Sequence, residues 1–249
     1  MRSIDLNCDL GEGCGDDAAI VPWITSASIA CGGHAGDEHT MRATLRLCRR
    51  HGVAAGAHPA YEDREHFGRR ELEPAPDALR HSLQAQIQRL RAIADAEGVR
   101  LAHVKPHGAL YNRAARDAAV ADVIVEAVRA VDPALALFAL SGSVLAERGA
   151  HAGLRVAHEA FVERGYGADG HLLPRGTPGA VLETVDAAVA QARALVAGRL
   201  RARHGAPLTV RADTLCLHGD RADAAAFARA LHQALRADGV RLRAFGDDA

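Results

Sequence analysis

No C-x-x-C pair occurs in this sequence, although it holds five cysteines, Cys8, Cys14, Cys31, Cys48 and Cys216. An odd count without paired spacing argues against a disulfide framework, so a reduced, cytoplasmic protein is expected. No signal-peptide pattern and no long apolar run is present, which excludes a membrane anchor from the expectation. Net charge is nearly absent as well, −1 over 249 residues. A phosphate backbone needs a basic face, so nucleic acid is not expected as a partner. The arginines alternate with Asp and Glu, as on solvated helix faces. There is no dinucleotide fingerprint and no G-x-x-x-x-G-K-[ST] loop. The glycine clusters at 11–15, 32–36 and 165–170 lack the lysine and hydroxyl that hold phosphate and magnesium in such loops.

What is present is a chain of short apolar runs, each ending abruptly in polar groups. The plainest is Leu101, Ala102 and Val104, followed by Lys105, Pro106, His107, Gly108, Tyr111 and Asn112. Pro106 stiffens the turn and Gly108 lets the backbone pass close to another segment. A buried parallel strand ends this way when its tip faces a ligand. Residues 3–8 read as a first strand running into Asp9, Gly11, Glu12 and Gly13. Residues 26–30 read as a second, ending in Cys31, Gly32, Gly33 and His34. Residues 53–57 read as a third, ending in His58 and Pro59. Residues 135–140, 154–158 and 213–217 complete the set, the last followed by His218, Gly219 and Asp220.

Between the strands lie helical patterns. Asp37 caps a helix over 38–50 with Met41, Leu45 and Cys48 inward. Asp77 caps another to about residue 96, with an apolar stripe of Leu79, Leu83, Ile87, Leu90 and Ile93. A third spans 118–130, the hydroxyls of Ser141 and Ser143 cap a fourth, Pro178 opens a fifth through Val181, Val185 and Val189, and a last carries Phe227, Leu231 and Leu235. Residues 60–70 and 164–175 are long polar loops, of a length usually kept for a lid or binding loop. Arg69 and Arg70 either meet a carboxylate or partner, or form a solvated pair.

Alternation of this kind, without a dinucleotide fingerprint, predicts one (β/α) barrel over 1–249 with about seven parallel strands. Asp9, His34, His58, Lys105, His107, His218 and Asp220 then follow strands whose ends gather at one mouth. So many titratable groups at one mouth imply an active site.

These segments also resemble a known family. Asn7 to Gly13, Ala30 to Asp37, Ala57 to Pro59, Phe67 to Arg70, His103 to Asn112, Ala212 to Thr214 and His218 to Asp220 are similar to the LamB/YcsF family. The resemblance implies a distorted seven-stranded barrel related to glycoside hydrolase and deacetylase barrels. It implies cleavage of 5-oxo-L-proline to L-glutamate with ATP hydrolysis, alongside two other subunits. ATP with Mg2+ is then expected to be handled with those partners, docking at the mouth through Arg69, Arg70, Arg164 and Arg175. Lys105 is expected to stabilise charge, Asp9 or His58 to serve as base, and His107 and His218 to orient the substrate. Glu12, His34, Arg69, Arg70, Tyr111, Asn112 and Asp220 are expected to bind substrate. Substitution of Lys105 by Met is expected to abolish turnover at an unchanged thermal midpoint. Two competing expectations are a metal hydrolase using Asp9, His34 and His58, and a non-catalytic substrate-binding subunit. The chain departs from the family pattern at the expected mouth, with only Cys14 and Gly15 between Gly13 and Asp16, and with Gly33 where Phe is usual.

Overall fold

Each apolar run becomes a strand, and each amphipathic stretch covers the strands from outside. The computed structural model describes residues 2–247. The strands are β1 (Ser3–Leu10), β2 (Ser26–Ala30), β3 (Ala54–His58), β4 (Leu101–Val104), β5 (Ala136–Leu140), β6 (Val156–Phe161), β7 (Thr214–His218) and β8 (Arg241–Leu242). The helices are α1 (Asp17–Ile20), α2 (Glu38–His51), α3 (Pro76–Ala96), α4 (Gly108–Ala114), α5 (Ala118–Val131), α6 (Val144–His151), α7 (Val185–Val196) and α8 (Ala224–Ala237).

All the strand pairings are parallel, and they run β2-β3-β4-β5-β6-β7-β1. Pairing of Asn7–Leu10 with Ser26–Ile29 closes the ring at seven strands, as expected. The two-residue β8 was not expected. It lies beside Ser3 and Ile4, below the point where Asp5–Asp9 take up β7. Among the described residues no helix is long and apolar enough to cross a membrane.

The main apolar core fills the layer between barrel and helices. The stripe Leu79, Leu83, Ile87, Leu90 and Ile93 on α3 is buried there, as are Met41, Leu45 and Cys48 on α2. Asp37 caps α2 through Thr40, and Ser143 caps α6 through Ala146. The barrel interior is different. Asp5, Asn7, Asp9, His103, Glu159 and Thr214 are all buried. Most barrels fill this space with branched apolar side chains.

Four sequence expectations change. Asp77 does not cap α3: the helix opens at Pro76 after Ala75, with no side-chain cap, and Asp77 lies within its first turn. The sixth strand does not end at His158 but continues to Phe161, so Glu159 lies inside it. Pro178 does not open a helix. Val181 instead bridges to Arg164, and α7 begins at Val185, where the Thr184 hydroxyl accepts from Ala187 N. The turn after Lys105 becomes the helix α4. Gly108 takes φ 58° there, and a Cβ at that position would meet the Gly68 carbonyl oxygen at 2.5 Å. That close approach brings Ala109 N within 2.9 Å of Gly68 O, tying the 60–70 segment to the strand-end turn.

Candidate active site

β1, β4 and β6 bring three charged side chains to one point inside the barrel mouth. Lys105 Nζ stands 2.7 Å from Asp9 Oδ1 and 2.9 Å from Glu159 Oε1. Asn7 Oδ1 at 3.2 Å and Cys216 Sγ at 3.0 Å complete its surroundings. An ammonium has three protons, so four acceptors at these distances use every donor. Burial opposes the charge on Lys105, yet Asp9 beside it holds the ammonium well above its usual range. Burial likewise opposes ionisation of Asp9, but His58 and Lys105 hold its carboxyl well below the usual range. Glu159 accepts from Tyr111 Oη at 2.7 Å and from Asn7 Nδ2 at 2.9 Å. Lys105 therefore keeps two carboxylates in place, and its donors are not free for a substrate oxygen.

His58 and His107 make the second feature. His58 Nδ1 lies 2.7 Å from the Lys105 carbonyl, and His107 Nε2 lies 2.9 Å from the Phe67 carbonyl. Carbonyls only accept, so both outer nitrogens carry protons. The inner nitrogens, His58 Nε2 and His107 Nδ1, face each other at 2.9 Å. Two lone pairs repel at that distance, so a shared proton or a cation must lie between them. Phe67 sits at φ 55°, outside the usual range for its type, and presents its carbonyl to His107 from that position. His34 stacks on His107 with ring centroids 3.7 Å apart. Burial, then His58, pushes His34 down to about 2. Burial, then Asp9, pushes Glu12 up to about 9. Glu12 Oε1 is 3.0 Å from His34 Nε2 and 3.6 Å from His107 Nδ1.

Ligand atoms of Glu12, His34, His58 and His107 all lie within 4.8 Å of one another. This set fits a divalent transition metal, since the outer N–H groups of His58 and His107 are already held by carbonyls. Asp9 does not join it. The geometry groups Asp9 with Cys216 and His218 instead. Glu12 is the carboxylate that reaches His34, while Asp9 Oδ2 stands 3.4 Å from His58 Nε2.

His218 makes the third. Glu163 Oε1 takes both the backbone N–H and Nδ1 of His218 at 2.8 Å. Nε2 is left as the lone-pair nitrogen, without a hydrogen bond among the described residues. Burial, the largest single influence, raises Glu163, but the hydrogen bonds and charge of His218 together with the Arg221 guanidinium leave the carboxyl lowered. A carboxylate that fixes one imidazole nitrogen leaves the other ready to take a proton.

These features share a cavity of about 700 Å³, lined by Asp9, His58, Lys105, His107, Tyr111, Asn112, Phe161, His218 and Arg69, among others. Several expected residues fall elsewhere. Glu12 and His34 lie behind the cavity wall, buried against His107. Arg70 approaches Asp63 at 3.5 Å and does not line the cavity. Asp220 pairs with Arg69. Arg164 is 7 % exposed, which removes it from any docking surface. Gly33 is buried and does not line the cavity, and a Cβ there would meet Gln86 Oε1 at 2.5 Å. Sequence reading missed Glu159 and Glu163. Glu159 had a signal, because it shares inward parity with Ala157 and Phe161.

Barrel and mouth together define an enzyme with an acid–base centre at the strand ends. The chain belongs to the LamB/YcsF family, whose family model matches residues 4–248. It is 50% identical over 254 residues to a 5-oxoprolinase subunit of Symbiobacterium thermophilum, covering 100% of this chain and 97% of that one. The crystal structure of the lactam utilization protein from Thermus thermophilus superposes with a TM-score of 0.93 at 44% identity, covering 98% of this chain and 100% of that one.

The buried charge cluster changes what substitution of Lys105 does. Methionine there leaves Asp9 and Glu159 facing each other without the ammonium between them. Lys105→Met is expected to lose roughly 3–5 kcal/mol of stability, contrary to the unchanged midpoint expected from sequence. Urea denaturation of the variant checks this, and a wild-type midpoint would remove Lys105 from the structural role.

Proposed function

We propose that this chain is the lactam-handling subunit of an ATP-dependent 5-oxoprolinase, which opens 5-oxo-L-proline to L-glutamate. The observation that carries this reading is 50% identity, over the whole chain, to a protein named as a 5-oxoprolinase subunit. An acid–base cavity of small-molecule size supports it.

A five-membered lactam is an almost unstrained amide and resists water at neutral pH. ATP supplies a phosphoryl group to the lactam oxygen and makes the ring carbon electrophilic. Water then adds to that carbon, the C–N bond opens, and the nitrogen leaves with a proton. A second water releases phosphate. His218 Nε2 takes the proton of the attacking water, with Glu163 holding the ring. This differs from the sequence expectation of Asp9 or His58 as base, because both of those are committed to Lys105 and His107. Where a proton rather than a cation joins His58 and His107, it is the supply for the leaving nitrogen. In the assembled enzyme His218→Gln is expected to lower kcat by about 10²–10⁴-fold with little change in KM. A wild-type kcat would return the role of base to another residue.

The ATP and the partners belong to the same proposal. With no P-loop in the sequence, the chain alone is expected to release neither phosphate nor glutamate, and activity is expected on adding two cognate subunits. Turnover by a preparation shown free of partners would overturn this.

A second reading is favoured by one observation, the facing acceptor nitrogens of His58 and His107. A divalent ion held by Glu12, His58 and His107, with His34 beside them, would satisfy both nitrogens and polarise a carbonyl oxygen. Elemental analysis of protein purified without chelator or metal-affinity tag decides it. A stoichiometric transition metal, lost in Glu12→Gln, is the outcome for the metal reading. Metal-free protein with full activity in the assembled enzyme removes it.

A further inference from the structure

The segment between β6 and α7 forms the outer wall of the cavity. It folds back twice, with Tyr166 bridging Leu172 and Arg164 bridging Val181. The two passes cross at Gly165, where a Cβ would meet the Gly179 carbonyl oxygen at 2.0 Å. This crossing brings two carbonyls to one guanidinium. Arg164 Nε donates to Ala180 O at 3.1 Å and Nη2 donates to Leu173 O at 2.7 Å.

Those carbonyls fix the orientation of Arg164 but do not neutralise it. Among the described residues no carboxylate lies within ion-pair distance of Arg164, which is 7 % exposed. Its remaining nitrogen, Nη1, has no hydrogen-bond partner there, and the side chain lines the cavity. Arg175 lines the same wall and has neither an ion pair nor a hydrogen bond among the described residues. Burial, then the like charge of Arg175, lowers Arg164 to about 10. The other cavity arginines are already matched, Arg69 by Asp220 and Arg116 by Glu71. An oriented, nearly buried guanidinium beside a second one is costly unless an anion joins them. Guanidinium forks suit the two coplanar oxygens of a carboxylate.

We propose that Arg164 and Arg175 form an oxyanion subsite that grips the substrate carboxylate and leaves the lactam ring over Asp9, Lys105 and His218. The subsite rests on the 5-oxoprolinase reading only for the identity of the substrate. It accounts for selection of a ring amide bearing a carboxylate over the bare ring. It also makes Arg164 and Arg175 specificity residues, where docking of partners was the expectation from sequence.

Calorimetry on the full chain tests the subsite with four probes: 5-oxo-L-proline, 2-pyrrolidinone, which is the same ring without a carboxylate, acetate, and inorganic phosphate. The wild type is expected to prefer 5-oxoproline over 2-pyrrolidinone by about tenfold or more, and Arg175→Gln to lose most of that preference. Arg175 is exposed, so this variant is expected to fold, with circular dichroism as the check. Arg164→Lys keeps the charge but not the fork and is expected to weaken 5-oxoproline in the same direction. An Arg175→Gln variant with the wild-type preference overturns the subsite while leaving the 5-oxoprolinase reading intact. Arg175-dependent binding of phosphate tighter than that of 5-oxoproline overturns the carboxylate assignment. Arg175-dependent binding of acetate, without binding or turnover of 5-oxoproline, keeps the subsite and sinks the substrate reading. Absence of binding by all of these oxyanions overturns the proposal.

Discussion

The ammonium of Lys105 inside the barrel is the interaction on which the rest of the mouth depends. It joins β1 through Asp9, the end of β4 through its own backbone, and β6 through Glu159. The polar chain then continues down the axis. Asn7 links Glu159 to Thr214, Thr214 donates to Asp5 at 2.7 Å, and Ser26 donates to Asp5 at 2.8 Å. Burial, the largest influence, pushes Asp5 up to about 6 even so. An interior of this kind is tolerated only when nearly every donor and acceptor is matched.

Charge balance connects this cluster to the histidines. Asp9 and Glu159 carry two negative charges against the single positive charge of Lys105. A proton or cation between His58 and His107 supplies the other, with His58 Nε2 standing 3.4 Å from Asp9 Oδ2. The site is therefore built in depth. A matched floor of fixed charges lies deepest, and the histidine pair and the Glu163–His218 pair flank it. The outer wall, by contrast, holds Arg164 and Arg175 without an ion pair among the described residues, and its own carboxylate, Asp169, accepts from His171 N instead. Catalytic polarity and substrate recognition are thus assigned to different segments of one cavity.

Much of this was legible in the sequence. Short apolar runs with polar ends give parallel strands, and three- and four-residue apolar spacing gives the covering helices, because both patterns follow from local backbone geometry. The barrel, its seven strands and the gathering of Asp9, His58, Lys105, His107 and His218 at one mouth follow from those patterns and the fold's topology. The failures share a cause. Pro178 looks like a helix start until Val181 is seen bridging Arg164. Glu159 looks like the first loop residue until β6 is seen to continue past it.

The amino-acid sequence by itself determined the order of elements, the helix cap at Asp37, and which chemical groups stand at the strand ends. Only the tertiary structure decided what each group does. Asn7 and Glu159 are 152 residues apart in the chain and 2.9 Å apart in space. Whether His58 is a free base or half of a proton-sharing pair depends on a His107 nitrogen 2.9 Å away. Whether Arg164 is a surface charge or a buried one depends on carbonyls supplied by Leu173 and Ala180. Periodicity reports the face a residue occupies. The protonation and pairing of a buried group are set by the distances and desolvation that barrel closure imposes, and these have no local signature.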